Sequence, residues 1–222
     1  WSFRECPAGL PEDVDVVGVQ LPGREDRLTE PPFSDVFDVV AQLTDVLAPE
    51  LALPSLFFGH SMGALIAFEL VRELRRRALP GPRLLVASAF RAPQLPRRAL
   101  SLHELTDAEF IAAVNERYAA VPEAVAANAE LMDLILPGLR GDIAICDTYA
   151  FEEERPLDCP IVAFGGRDDA EVGQRELAGW ESQTAAGFEL NVFPGGHFFH
   201  QTARDEVLSA LARLLESPRV RS

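Results

Sequence analysis

Cysteine is scarce in this sequence: Cys6, Cys146 and Cys159 are the three in 222 residues. An odd number at wide spacing makes neither a disulfide framework nor a zinc site, so the expected compartment is a reducing cytoplasm. Positive charge is short as well. Twenty Lys and Arg face 35 Asp and Glu, a net charge of −15; this argues against nucleic acid as a partner and against an anionic membrane surface. No apolar run approaches the roughly 20 residues of a membrane span. Repeats and low-complexity tracts are absent too. No signal peptide is visible, but the sequence opens on WSFRECPAG without an initiator Met, so that absence carries no weight.

What is present is ordinary globular composition, 48% hydrophobic and 25% charged, at a length that suits one α/β domain. Short β-rich apolar segments at 15–19, 55–59, 83–89, 159–165 and 188–193 alternate with helical patterns. That is the mark of a mostly parallel sheet covered by helices. Helices are expected over 35–48 (Val36, Val39, Val40, Leu43, Val46, Leu47), over 62–79, and over 203–216. The stretch 95–158 breaks the alternation. Thr106-x-x-Glu109 reads as a capping box opening a helix; a second helix is expected around 123–136, ending at Pro137-Gly138, and a third over 139–149. Some sixty helical residues exceed a plain crossover, so this insert is read as a cap of the kind that covers a binding cleft.

The run FFGHSMGALIAFEL (57–70) places Ser61 in Gly-x-Ser-x-Gly between a strand and a helix. This is the nucleophile elbow, a sharp turn that presents the serine hydroxyl at the carboxyl end of the sheet. The backbone N–H of Met62 is the natural first oxyanion donor, at the positive end of the following helix. In this chain order an acid and then a histidine should follow. His197, in the loop FPGGH after the strand 188–193, is the expected base. His60, beside the nucleophile, is read as structural, His103 as a surface residue of the cap, and His200 as lying on the helical side of the His197 loop. Asp168 and Asp169 both follow the strand 159–165, and the spacing does not choose between them.

At this point the chain resembles the type II thioesterases, α/β-hydrolases that serve modular polyketide synthases and nonribosomal peptide synthetases. The resemblance lies in five blocks in order: VQLPGREDRLTEPP (19–32), FGHSMGALIAFEL (58–70), SAFRAPQ (88–94), LPGLRGDIAICDTYAF (136–151) and FPGGHFF (193–199). It implies an α/β-hydrolase core over 1–94 and 151–222 with a helical lid at 95–150. The family's Gly-x-x-Asp-x-x-Val and Trp fall on Gly166, Asp169, Val172 and Trp180, which selects Asp169 over Asp168. The implied triad is Ser61, Asp169 and His197. The implied reaction is hydrolysis of short, stalled or mis-primed acyl groups from the phosphopantetheine of an acyl or peptidyl carrier protein, with no metal or organic cofactor. The family's first strand and the loop giving a second oxyanion donor have no counterpart in this sequence.

An acidic carrier would need a local basic patch. Arg97 and Arg98, which open the cap, are the better candidates for docking, whereas Arg72, Arg75, Arg76 and Arg77 are read as cations that complement the dipole at a helix C-terminus. Rival readings are a general esterase or acyl-CoA thioesterase with the same triad, a malonyl-type acyltransferase, disfavoured by the downstream Asp and His, and a noncatalytic binding module of the same fold.

Overall fold

Four apolar runs become the strands of one parallel sheet: β1 (Leu56–His60), β2 (Leu84–Ser88), β3 (Ile161–Gly166) and β4 (Phe188–Phe193), in that spatial order. The structure, a computed structural model, describes residues 9–96, 102–118 and 121–221. The helices are α1 (Val36–Leu47), α2 (Met62–Arg76), α3 (Asp107–Tyr118), α4 (Glu123–Ala126), α5 (Ala129–Thr148), α6 (Gln174–Ala178), α7 (Phe199–Thr202), α8 (Arg204–Glu216) and α9 (Pro218–Arg221). No described helix is long and apolar enough to cross a membrane.

The middle strands are buried along their whole length, and alternate residues feed two cores. Leu85, Ala87, Ile161 and Ala163 pack with Phe68 of α2, Leu177 and Trp180 on one face. Leu84, Val86, Val162 and Phe164 pack with Phe199, Val207 and Leu211 on the other. The strand expected at 15–19 does not form. Residues 14–20 have no regular structure, and Val17 is 70% exposed. A β-run needs a neighbour's ladder, and among the described residues β1 pairs with β2 alone.

The chain divides into two compact units. One draws on the segment up to Gly18, on Val40–Leu95 and on the chain from Phe151 onward; the other takes Val19–Val39 and the stretch from Pro96 to Ala150. In the helical unit, Glu109 accepts from Thr106 N at 3.1 Å, one arm of the expected capping box. The two helices expected around Pro137-Gly138 are instead one, α5, with Pro137 inside it. Gly138 and Gly141 explain what that helix is for. A side chain at Gly138 would meet Gly23 O at 2.7 Å, and one at Gly141 would strike Phe33 O. The bare helix face thus lets the 20–33 segment lie directly on α5. Arg24 then spans the contact with two hydrogen bonds to Asp142, at 2.5 and 3.2 Å. Burial raises the Asp142 carboxyl above its usual range, against the pull of Arg24.

The arginines closing α2 are consumed by the fold. Arg72 is buried, pairs with Glu69 at 2.6 Å and Glu154 at 2.9 Å, and lies over the rings of Phe68 and Phe151. Arg75 and Arg76 reach Glu154 at 2.7 and 3.0 Å, and Arg77 reaches Glu73 at 2.6 Å. Burial opposes ionisation of Glu154, but the three guanidiniums outweigh it and hold the carboxyl at about 2. Arg97 and Arg98 lie outside the described residues.

Two stability outcomes follow. Gly→Ala within a helix ordinarily gains up to about 1 kcal/mol, yet Gly141→Ala should lose about 1–3 kcal/mol to overpacking, a fall in Tm of roughly 2–12 °C. A higher Tm would show that the 20–33 segment does not rest there. Because the folded pKa of Glu154 is depressed from 4.5 to about 2, its contribution is full above pH 4.5 and fades as pH falls toward 2. Glu154→Gln should therefore cost on the order of 1–2 kcal/mol at pH 7, with the gap to wild type closing in melts taken from pH 5 down to pH 2.5. A gap that stays constant with pH contradicts the ion-pair account.

Candidate active site

The elbow is built by steric exclusion. Gly59 ends the straight part of β1, and a Cβ there would collide with the main chain of Gly63; only glycine lets the strand turn back so sharply against its own helix. The second glycine of the motif answers to a different need, since a Cβ at Gly63 would meet nothing within 4 Å. Between them Ser61 takes φ 53° and ψ −125°, a strained conformation for a residue with a side chain. Two main-chain hydrogen bonds hold it: Ser61 N donates to Ser88 O at 2.7 Å, and Ala64 N donates to Ser61 O at 2.8 Å. Met62 opens α2, so its N–H is one of the donors that a helix leaves without an internal partner.

His197 arrives from the other side. The loop after β4 turns through Gly195 at φ +104°. It lies against the end of β3 because Gly166 has no side chain to push Gly196 O away. Asp168 N donates to Gly195 O at 2.9 Å and fastens the two loops together. The result is one line of hydrogen bonds. Nε2 of His197 is 3.0 Å from Ser61 Oγ, and Nδ1 is 3.0 Å from Asp169 Oδ2. Both partners are removed from water, with side-chain exposures of 7% for His197 and 1% for Asp169. Asp168 is exposed and makes no such contact.

Asp169 Oδ1 accepts from Glu171 N at 2.8 Å and Val172 N at 3.2 Å, which fixes the carboxylate so that Oδ2 faces the imidazole. Burial disfavours its charge, but His197 and these two N–H groups prevail and hold the carboxyl below its usual range. Trp180 braces the same region. Its ring meets Phe68 of α2 edge-on at 5.3 Å, and Nε1 donates to Phe90 O at 2.8 Å. That carbonyl belongs to SAFRAPQ, so part of the block serves to hold Trp180 in place.

The other histidines separate clearly. His103 sits in the helical unit, 3.2 Å from Asp147. His200 is buried on α7, where its surroundings and then His197 push it down to about 4. His60 is more involved than its sequence position indicated: its Nδ1 lies 2.9 Å from Ser88 Oγ and its ring 5.4 Å from that of His197. The signal was its place inside the elbow; Ser88, at the end of a uniformly apolar strand, had only its polarity to give it away. Among the described residues no cluster of His, Cys, Asp and Glu could hold a metal ion.

Residues 1–215 match the family model of the thioesterase domain. The gramicidin S biosynthesis protein GrsT of Aneurinibacillus migulanus is 36% identical over 222 residues, covering 99% of this chain and 86% of that protein. Among solved structures, the type II thioesterase BorB of the borrelidin biosynthetic cluster superposes with a TM-score of 0.84 at 34% identity, covering 99% of this chain and 85% of BorB. The RedJ thioesterase of the prodiginine pathway in Streptomyces coelicolor gives 0.88 at 35% identity, covering 96% and 84%. The chain belongs to the thioesterase family, among the α/β-hydrolase-fold type II thioesterases of polyketide and nonribosomal peptide synthesis.

Proposed function

We propose that Ser61, His197 and Asp169 carry out thioester hydrolysis on acyl groups held by the phosphopantetheine arm of a carrier protein in the cytoplasm. The observation behind this is the unbroken line from Asp169 through His197 to a serine on a strained elbow. Ser61 Oγ attacks the thioester carbonyl while His197 Nε2 takes its proton. The oxyanion forms beside Met62 N–H. Asp169 stabilises the imidazolium and fixes its tautomer. Collapse breaks the C–S bond, and His197 returns the proton to the departing thiol. A water then repeats the cycle on the acyl-serine, releasing the acid and restoring Ser61.

The insert 95–150 is assigned the choice of acyl chain. Leu134, 52% exposed on α5, borders a groove of about 370 Å³ within the helical unit, lined also by Gly23, Leu28, Pro32 and Pro137. A short-chain editor should turn over acetyl to butyryl carriers faster than dodecanoyl, because a confined pocket excludes long chains. An open one would gain up to about 0.8 kcal/mol per added methylene.

Two experiments test the assignment. A fluorophosphonate should add to Ser61, found by mass spectrometry, and Ser61→Ala should fold normally but take no label. Asp169→Asn should lower kcat by about 10⁴, the scale of loss when a serine triad loses its orienting carboxylate, while Asp168→Asn changes it little; the opposite ranking would displace Asp169. For the substrate, kcat/KM is compared across carriers loaded with two to twelve carbons and the matching CoA thioesters, in wild type and Leu134→Ala. Equal turnover of carrier and CoA thioesters, or a dodecanoyl preference in wild type, would remove the carrier-editing role and leave a general acyl thioesterase.

A further inference from the structure

His197 is fixed at both ends of its imidazole, by Asp169 at Nδ1 and by Ser61 at Nε2. Two hydrogen bonds at opposite ends of a ring leave it able to roll about the line joining the two partners unless its faces and edges are packed. The rings of Phe198 and His60 limit that motion. Phe198 meets His197 edge-on at 5.2 Å, but it follows His197 in the same loop and moves with it. His60 meets His197 at 5.4 Å and 62°, and it comes from β1, the strand that carries Ser61. It is therefore the contact that registers base against nucleophile.

His60 is itself held. Nδ1 is 2.9 Å from Ser88 Oγ, and the opposite side is packed by Phe199 at 5.7 Å and His200 at 4.0 Å. The same Ser88 accepts Ser61 N–H on its carbonyl, so one fully buried residue of β2 anchors both the nucleophile and the ring beside the base. Burial, then His200 and His197, push the His60 imidazole well below its usual value. It stays neutral where His197 must accept a proton, and adds no repulsion to the imidazolium.

We propose that His60, anchored by Ser88, is a positioning residue for His197, its ring forming the wall that keeps the imidazole in line between Asp169 and Ser61. The role rests on the triad assignment above and touches neither substrate nor reacting atoms.

The test measures the rate of Ser61 phosphonylation by a fluorophosphonate together with kcat and KM, in wild type, His60→Ala, His60→Phe and Ser88→Ala. His60→Ala should lose about 10²-fold in kcat and in labelling rate, the scale of a misplacement of about 1 Å, with KM nearly unchanged. His60→Phe restores a ring without the anchor and should recover to within about tenfold of wild type. The far-downfield proton resonance of Nδ1–H shared by His197 and Asp169 should broaden in the Ala variant and sharpen again in the Phe variant. A His60→Ala enzyme that labels as fast as wild type, a loss confined to KM, or a Phe variant as slow as Ala overturns the proposal. Should His60→Ala not fold, Ser88→Ala decides: a roughly tenfold loss in kcat supports the role, and wild-type kcat refutes it. If wild type itself takes no label on Ser61, the triad reading falls and this one with it; a labelled wild type beside an equally fast His60→Ala removes the positioning role alone.

Discussion

The backbone of Ser61 is the constraint on which the rest depends. At φ 53° and ψ −125° it costs on the order of 1–3 kcal/mol, and a chain free to relax would carry the hydroxyl away from the sheet edge. It cannot relax because both flanks are fixed. β1 is in register with β2, His60 opposite Ser88, and α2 buries ten of its fifteen residues, from Ala64 to Leu74. A rigid strand and a rigid helix joined by one residue leave that residue no alternative. Burial of an amphipathic helix, the most ordinary force in the fold, is thereby converted into the placement of one oxygen atom.

Around that oxygen the charge states are sorted by surroundings. The Asp169 side chain is removed from water, yet His197 and two main-chain N–H groups favour its charged form. Burial drives both His60 and His200 toward the neutral form. The negative charge faces Nδ1 of His197, and the rings of His60 and Phe198 pack against the imidazole. An imidazolium formed there is stabilised from the Asp169 side, which helps to fix its orientation.

Much of this was legible in the sequence, for identifiable reasons. Strands buried on both faces have to be continuously apolar, so 55–59, 83–89, 159–165 and 188–193 announced themselves. The elbow was legible because Gly59 has no steric substitute. The segment 15–19 misled because its valines describe a strand while the strand's existence depends on a neighbour. Pro137-Gly138 misled because both residues usually end helices; here the glycine is needed by the Gly23 carbonyl resting on it. The choice between Asp168 and Asp169 turns on which way successive residues of a tight loop point. Neither spacing nor composition contains that direction, and the resemblance supplied it. His60 and Ser88 were missed for a related reason: their part depends on side chains meeting across strands.

The blocks that carry the family resemblance divide by physical task. FGHSMG and FPGGH bring nucleophile and base together, whereas VQLPGRE and LPGLRGD meet each other through Gly23, Gly138, Arg24 and Asp142. SAFRAPQ receives Trp180 on Phe90 O. Most of the recognisable sequence is thus spent on holding elements together, and the same is true of the arginines ending α2. In a chain with a net charge of −15, those four guanidiniums form a dense cationic group, yet Asp45, Glu69, Glu73 and Glu154 already pair with them. An acidic partner approaching that end of α2 would have to displace internal carboxylates from well-formed pairs, exchanging one ion pair for another at little net gain. If the carrier that the proposed function requires is recognised electrostatically, the end of α2 away from Ser61 offers it little.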